Sequence, residues 1–167
     1  MADARLTPTL RLADSGDSRR VWEWRNDPVT RQVSGSTDSV PWDVHDSWFH
    51  RVLEDPTRYL LILEVAGDAM GALRFDPAGE SGAWLVSINL APPARGRGLA
   101  TPVLEAGWEW LSAAAHVTRV GADIRAENER SVRAFVRAGF RREHESDGWL
   151  HYARTVDEEP SQAAGAR

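Results

Sequence analysis

A loop rich in glycine, proline and arginine joins a strand to a helix in the second half of the chain, and it restricts the fold more than any other stretch. Apolar and polar residues alternate over positions 86–90, as in a strand with one buried face. Two prolines and two glycines then interrupt regular structure in the segment 92–98, and apolar residues at helical spacing follow from Ala100. The chain is therefore expected to form a strand, a tight loop and a helix in direct succession.

The chemistry of this loop favours an anion. The first N–H groups of a helix have no partner within the helix, and the helix dipole adds positive charge at the same end. Gly96 and Gly98 have no Cβ, so an oxygen-rich group can approach their backbone, while Arg95 and Arg97 add positive charge. The loop predicts a cradle for a pyrophosphate, with a plain surface turn as the alternative.

Composition excludes several classes of site. The chain contains no cysteine, which excludes disulfides, thiolate metal ligands and a cysteine nucleophile. All 20 of its basic residues are arginines, which excludes a lysine Schiff base and a lysine general base. Its histidines show no ligand spacing with carboxylates, so no metal site is expected.

Charge and hydropathy restrict the partners. The formal net charge of -5 argues against nucleic acid, because binding to a phosphate backbone requires clustered positive charge, and it agrees with a small amine substrate. No apolar run approaches the roughly 20 residues of a membrane helix, and the N-terminus has no signal-peptide core. We therefore expect a cytoplasmic protein with no nucleic-acid or membrane partner, and the sequence leaves a homodimer open.

Hydrophobic spacing predicts an α+β fold with about seven strands and about four helices. A first helix ends at the breaker Asn26-Asp-Pro28, and a second, over 42–54, places Val44, Trp48 and Val52 on one face. Residues 1–154 are expected to form one domain, and the charged tail 155–167 is expected to be disordered. The predicted strands are 6–12, 59–65, 69–75, 83–90, 119–125, 140–145 and 149–154.

Two motifs stand out in this order of elements. The first is Leu90-Ala-Pro-Pro-Ala-Arg-Gly-Arg-Gly-Leu-Ala100, and the second is Asn128-Glu-Arg-Ser131 followed by Phe135-Val-Arg-Ala-Gly-Phe140. Together, in this order and at this separation, they resemble the GNAT superfamily of acyl-CoA-dependent N-acyltransferases over about residues 6–154. The resemblance implies a GNAT fold, with a mixed, mostly antiparallel sheet that splays open beside the strand ending at Leu90.

The resemblance also implies that acetyl-CoA is the co-substrate and lies in that opening. Its pantetheine amides would pair with the strand backbone, and its pyrophosphate would accept hydrogen bonds from the loop. Asn128 would contact the pantetheine arm, and Ser131 and Phe135 would lie near the thioester. The implied cofactor-binding residues are Ile88, Asn89, Leu90, Arg95, Gly96, Arg97, Gly98, Leu99, Ala100, Asn128, Ser131 and Phe135.

Acyl transfer to an amine requires a group that removes the amine's proton and a donor that stabilises the oxyanion. In many relatives a tyrosine five positions before the phenylalanine of the Gly-Phe pair protonates the leaving thiolate, but Phe135 holds that position here. The alternatives for this protonation are Ser131, a water, or a residue from elsewhere such as Tyr152. The thiolate could also leave without being protonated. Asp123 is the first candidate for the base, because it stands on the strand expected to border the opening, and Glu64 and Glu80 are lesser candidates. An exposed carboxylate without a role is the alternative.

The N-terminal third resembles the GNAT branch that acetylates nucleotide-linked amino sugars, such as the UDP-linked 4-amino sugar of pseudaminic acid synthesis. The resemblance rests on Trp22-Glu-Trp-Arg-Asn-Asp-Pro28, Val44-His-Asp-Ser-Trp-Phe49 and Ala72-Leu-Arg-Phe-Asp76. An aromatic plane can stack on a sugar or base, and arginine can bind a diphosphate with two hydrogen bonds. The implied substrate-side residues are Trp24, Arg25, Asn26, His45, Trp48 and Arg74.

Other acceptors fit the same pattern. The N-terminal third also resembles ribosomal-protein N-terminal acetyltransferases and aminoglycoside N-acetyltransferases. Because Phe135 replaces the usual acid, a non-catalytic acyl-CoA-binding regulatory module is an alternative from another class. An acidic acceptor site would favour a polycationic aminoglycoside, whereas arginines there would favour a diphosphate.

Overall fold

Seven strands form one mixed sheet in the computed structural model, which describes residues 7–156. They are β1 (Thr9–Leu12), β2 (Tyr59–Val65), β3 (Asp68–Pro77), β4 (Ala83–Leu90), β5 (Arg119–Arg125), β6 (Arg141–Ser146) and β7 (Trp149–Thr155). Their order in the sheet is β1-β2-β3-β4-β5-β7-β6. The pairing of β4 with β5 is parallel, and the other pairings are antiparallel. The predicted α+β fold is confirmed.

The two ends of the chain differ from the prediction or lie outside the structure. Thr155 belongs to β7 and pairs with Arg119, although the sequence predicts a disordered tail from residue 155. Residues 157–167, which make up the rest of that predicted tail, lie outside the described residues, as does Leu6 of the predicted first strand.

Five helices flank the sheet within residues 7–156: α1 (Ser18–Asn26), α2 (Pro28–Val33), α3 (Trp42–Glu54), α4 (Ala100–Ala114) and α5 (Glu129–Arg137). Helix α2 is the one that the sequence does not predict. The Asp27 side chain accepts hydrogen bonds from the N–H groups of Val29 and Thr30, and Pro28 takes the first helical position, where a missing N–H costs nothing. The residues that end α1 therefore also begin α2.

The core has two layers, one on each face of the sheet. Leu61 and Leu73 point to the face covered by α4 and α5, while Leu60 and Ile62 point to the face covered by α1 and α3. Side chains alternate between faces along a strand, so a strand that is covered on both sides has to be apolar throughout. This is why β2 shows no polar alternation in its central residues.

The predicted inner face of α3 is wrong by one residue. His45, Phe49 and Val52 are buried against the sheet, while Val44 is 55% exposed. A histidine can be buried here because its Nε2 lies 2.9 Å from the carbonyl oxygen of Ser18, which satisfies one of its polar atoms. Because His45 and Phe49 form the buried face, Trp48 lies at its edge and is half-buried.

The sheet opens between β4 and β5. The two strands pair at three positions, Ala83 with Arg119, Trp84 with Val120 and Leu85 with Gly121. Beyond Leu85, β4 continues to pair with β3 as far as Leu90 but no longer pairs with β5. A wedge therefore separates the end of β4 from the second half of β5.

Candidate active site

A cavity of about 1010 Å³ occupies this wedge and reaches both faces of the sheet. One end, called here the loop end, is lined by the loop before α4 and by α5. The other, called the tryptophan end, is lined by residues of α1, α2 and α3 and by the side chains of Trp48 and Trp149. Residues 85–90 of β4 and 123–125 of β5 form the walls between the two ends.

The backbone of the loop end is arranged to bind an anion. Gly96 and Gly98 both line the cavity with positive φ, at 70° and 71°, and a Cβ added to either would meet no atom within 4 Å. In the described part of the chain, the N–H groups of residues 96–101 donate no hydrogen bond. Several unpaired donors thus converge at the start of α4, where the helix dipole also favours negative charge.

Arg95 does not provide the mobile charge that the sequence predicts. Its guanidinium donates to Asp27 Oδ1 at 2.7 Å, to Thr30 Oγ1 at 2.8 Å and to the carbonyl oxygen of Leu90 at 3.1 Å. Its own N–H donates to the carbonyl oxygen of Pro92. Arg95 lines the cavity but ties the loop to the start of α2. The side chain of Arg97 is exposed and does not line the cavity.

Helix α5 presents one side to the loop end. Asn128 caps the helix, accepting from the N–H of Ser131 at 3.3 Å, and both residues line the cavity. Phe135 is one turn further along and packs edge-on against Phe140, with 5.0 Å between ring centroids. These three predicted residues are therefore brought together at the wall of the cavity.

Three arginines of α5 also line the loop end, and the sequence interpretation missed them. They are Arg130, Arg133 and Arg137. Their spacing of three and four residues places them on one side of a helix, so the signal was present in the sequence. They add positive charge beside the unpaired N–H groups of the loop.

Three arginines, Arg25, Arg74 and Arg125, also line the tryptophan end, and each contacts an aromatic ring or a backbone carbonyl. The guanidinium of Arg74 lies 5.3 Å from the ring centre of Trp48, and that of Arg125 lies 4.4 Å from the ring centre of Trp149. Arg74 also donates to Asp76 at 2.7 Å. Of these residues, Arg125 and Trp149 were not predicted, because they come together only through the pairing of β5 with β7.

The segment 34–40 crosses this end of the cavity and is held by its backbone. Arg125 donates to the carbonyl oxygen of Ser34 at 3.1 Å, and Arg25 donates to that of Ser36 at 3.0 Å. Asn26 forms two hydrogen bonds with the backbone of Val40. Its Nδ2 donates to the Val40 carbonyl oxygen, and its Oδ1 accepts from the Val40 N–H. Asn26 therefore positions this segment and does not line the cavity, contrary to its predicted substrate role.

Arg25 is a cation with unused hydrogen-bonding capacity. Its Nη1 is buried and has no hydrogen-bond partner, and no carboxylate of the described residues lies within 4.0 Å of the guanidinium. Burial lowers its pKa from the usual value, and repulsion from Arg31 lowers it further. An anion entering the tryptophan end would offset both effects.

Two titratable groups line the same end. Asp123 lies on the face of β5 opposite the buried Ala122 and Ile124, and its Oδ1 is 2.7 Å from Nδ1 of His151. His45 lines the cavity but is only 3% exposed, and burial lowers the pKa of its imidazole. Because a carbonyl oxygen only accepts, His45 Nε2 donates to Ser18, which fixes the ring in place.

Two further predicted residues lie in the core. Trp24 is 9% exposed and packs with Val21 and Phe49 between α1, α3 and the sheet. Tyr152 is 6% exposed and belongs to the cluster beneath α4 and α5, on the face of the sheet opposite His151. Neither lines the cavity, so neither is retained as a substrate or catalytic residue.

Two other findings concern residues 7–156 as a whole. No helix in this range is long and apolar enough to cross a membrane. No three histidine, aspartate or glutamate side chains in the range come together as a group that could hold a metal ion.

Known structures share this fold. A spermidine N-acetyltransferase from Vibrio cholerae in complex with CoA and spermine matches with a TM-score of 0.79 at 15% identity, over 89% of this chain and 95% of that chain. The aminoglycoside acetyltransferase AAC(6')-Ib in complex with ribostamycin and coenzyme A matches with a TM-score of 0.77 at 23% identity, over 89% and 93%. A domain from Methanocaldococcus jannaschii matches with a TM-score of 0.76 at 17% identity, over 89% and 98%.

The sequence itself matches a family. No curated protein matches the chain. The model of the acetyltransferase (GNAT) domain, however, matches residues 8–141, which include the loop before α4 and the whole of α5. Together with the splayed sheet, this match shows that the chain belongs to the GNAT family and is an acyl-CoA-dependent N-acetyltransferase.

Proposed function

We propose that the protein transfers an acetyl group from acetyl-CoA to the primary amine of an anionic small molecule, best matched by a nucleotide-linked amino sugar. One observation supports an anionic acceptor. Arg25, Arg74 and Arg125 line the tryptophan end, and Asp123 is the one carboxylate of residues 7–156 that lines the cavity. Arg74 is ion-paired with Asp76, but no carboxylate of the described residues lies within 4.0 Å of the Arg25 or Arg125 guanidinium. A site with this excess of positive charge attracts a diphosphate and repels a polycation. The aminoglycoside and polyamine acceptors of the structural neighbours therefore fit this end less well.

The loop end is proposed to hold acetyl-CoA. The unpaired N–H groups of residues 96–101 would bind its pyrophosphate, and the arginines of α5 would contribute positive charge toward its phosphates. The unpaired side of β4 beyond Leu85 would offer backbone groups to the pantetheine amides. Bound in this way, acetyl-CoA supplies the acyl group, and the wedge is the passage that connects it to the tryptophan end.

Asp123 is proposed as the general base. An amine attacks a thioester only when it is neutral, so its proton has to move to a nearby group before or during attack. Asp123 lines the tryptophan end on the wall facing β4. Its Oδ1 is occupied by His151, so Oδ2 is the oxygen that would accept the amine's proton.

The leaving thiolate does not require a strong acid. A thiol has an ordinary pKa of about 8.5, so its anion is a tolerable leaving group near neutral pH. Ser131 lies one helical turn before Phe135 on the same side of α5 and lines the cavity. We propose that its hydroxyl donates a hydrogen bond to the thiolate, in place of the tyrosine that Phe135 replaces.

The first prediction tests the anion cradle. In Gly98→Asp, a carboxylate would enter the space proposed for the pyrophosphate, so acetyl-CoA binding measured by calorimetry should be lost. Gly79→Asp is the matched control, because Gly79 also has positive φ and open space around its Cβ but lies in the turn after β3. Unchanged affinity in Gly98→Asp would remove the loop from the donor site.

The second prediction tests the base. Asp123→Asn keeps the shape of the side chain and its acceptor for His151 but removes the basic oxygen. Turnover should fall by about 10²-fold, as for other general bases, while the KM for acetyl-CoA stays the same. Asp68→Asn, at the exposed first residue of β3, serves as the control. Turnover within a factor of two of the wild type would exclude Asp123 as the base.

The third prediction tests the acceptor. Among a UDP-linked 4-amino sugar, kanamycin, spermidine and a peptide with a free N-terminus, the UDP-linked amine should show the highest kcat/KM. Arg25→Gln should raise its KM by about 10-fold or more, since a hydrogen bond to a charged group contributes about 1.5–3 kcal/mol. Arg51→Gln, an exposed change on α3, should have no effect.

The result that contradicts the proposed acceptor is also specific. Acetylation of kanamycin, spermidine or the peptide alone would exclude an anionic acceptor, although the protein would still be an acetyltransferase. Binding of acetyl-CoA with no turnover of any amine in the panel would favour the non-catalytic module instead.

A further inference from the structure

Three polar side chains on three neighbouring strands form a continuous hydrogen-bonded chain. Ser146 Oγ on β6 lies 2.8 Å from Nε2 of His151 on β7, and Nδ1 of His151 lies 2.7 Å from Oδ1 of Asp123 on β5. The register makes this possible, because Asp123 and His151 are direct partners in the β5–β7 pairing. His144 stacks on the His151 ring at 4.2 Å and 14°.

The direction of each hydrogen bond follows from the groups involved. A carboxylate oxygen only accepts, so Nδ1 of His151 carries the proton and donates it to Asp123. In the neutral ring Nε2 then has a lone pair, and the Ser146 hydroxyl donates to it. The ring is therefore held on both nitrogens and on one face.

The cavity contacts only one end of this chain. Asp123 lines it, whereas His151 and Ser146 do not. A nucleophilic serine would have to face the bound thioester, and Ser146 is exposed at the far end of the hairpin. The arrangement therefore presents a carboxylate, not a hydroxyl, to the substrate.

We propose that His151 is the positioning residue for Asp123, an inference that rests on the proposed role of Asp123 as the base. The Asp123 side chain is 45% exposed, and a carboxylate on an open strand face would otherwise rotate among several rotamers. The Nδ1–H bond to Oδ1 selects one rotamer and leaves Oδ2 for the acceptor. In the transfer step the lone pair of the amine nitrogen forms the bond to the acyl carbon, and one N–H bond of the amine breaks as its proton goes to Asp123 Oδ2. The C–S bond of the thioester breaks, and its electron pair leaves with the CoA sulfur as the thiolate. His151 keeps its own proton throughout.

The test compares two replacements of His151. His151→Phe removes the donor and should lower kcat about 10-fold on the fastest amine of the panel, with the KM for acetyl-CoA unchanged. In His151→Asn the side-chain amide can place an N–H near the position of Nδ1, so kcat should recover to within about threefold of the wild type. Ser146→Ala should give a smaller loss than His151→Phe. His50→Phe, an exposed change on α3 away from the cavity, is the matched control.

A second measurement needs no acceptor. NMR of the imidazole nitrogens should show a proton on Nδ1 of His151, with a slowly exchanging Nδ1–H resonance that Asp123→Ala abolishes. Protonation at Nε2 alone, or a resonance insensitive to Asp123→Ala, would overturn the contact.

Wild-type kcat in His151→Phe, with Asp123→Asn inactive, would overturn the positioning role but not the base. Wild-type turnover in Asp123→Asn would overturn the base, and the positioning role with it. Acylation of Ser146 found by mass spectrometry would show a nucleophile and overturn the role proposed here.

Discussion

The guanidinium of Arg95 connects the two halves of the site. It binds the last carbonyl oxygen of β4 at Leu90, the Asp27 carboxylate that caps α2, and the hydroxyl of Thr30. The hydrogen bond from Arg95 is the largest of the effects that lower the pKa of Asp27. Through these contacts one side chain holds the anion-binding loop, the end of β4 and the start of α2 in a fixed relation. Both ends of the cavity depend on that relation.

The opening between β4 and β5 connects the two ends of the cavity. Because β4 and β5 pair only as far as Leu85, the cavity crosses the sheet and does not stop at one face. The loop end combines unpaired N–H groups with the arginines of α5, and the tryptophan end combines three arginines with Asp123. Positive charge at both ends agrees with the proposed reaction, in which donor and acceptor each carry phosphate. Asp123, the one carboxylate of residues 7–156 that lines the cavity, is proposed to take up the proton that the amine loses.

Local signals in the sequence are sufficient to predict the fold and the position of the glycine-rich loop before α4. Alternation of polar and apolar residues, together with glycine and proline positions, predicts the strands and most of the helices, and the spacing of Gly96 and Gly98 predicts the loop. Helix α2 is not predicted from the sequence because Asn26-Asp-Pro28 is typical of a helix end, although Asp27 and Pro28 also form a standard helix start.

Predictions that depended on the partner of a side chain were less successful. Arginine is a residue type that often binds phosphate, but the Arg95 guanidinium donates a hydrogen bond to Asp27, which is distant in sequence. Trp24 has the residue type of a stacking platform, but its position on α1 faces the core. The contact of Asp123 with His151 depends on the register of two strands, which spacing along the chain does not reveal. The residue types were therefore informative, whereas their partners required the tertiary structure.

The central claim is that the wedge between β4 and β5 holds the donor and directs its acyl group toward Asp123. A crystal structure of the protein with CoA tests this claim most directly. The account predicts the pyrophosphate within hydrogen-bonding distance of the N–H groups of residues 96–101, the pantetheine arm along β4 beyond Leu85, and the thiol on the side of the wedge that Asp123 lines. CoA bound outside the wedge, or inside it with the thiol directed away from Asp123, would contradict the account.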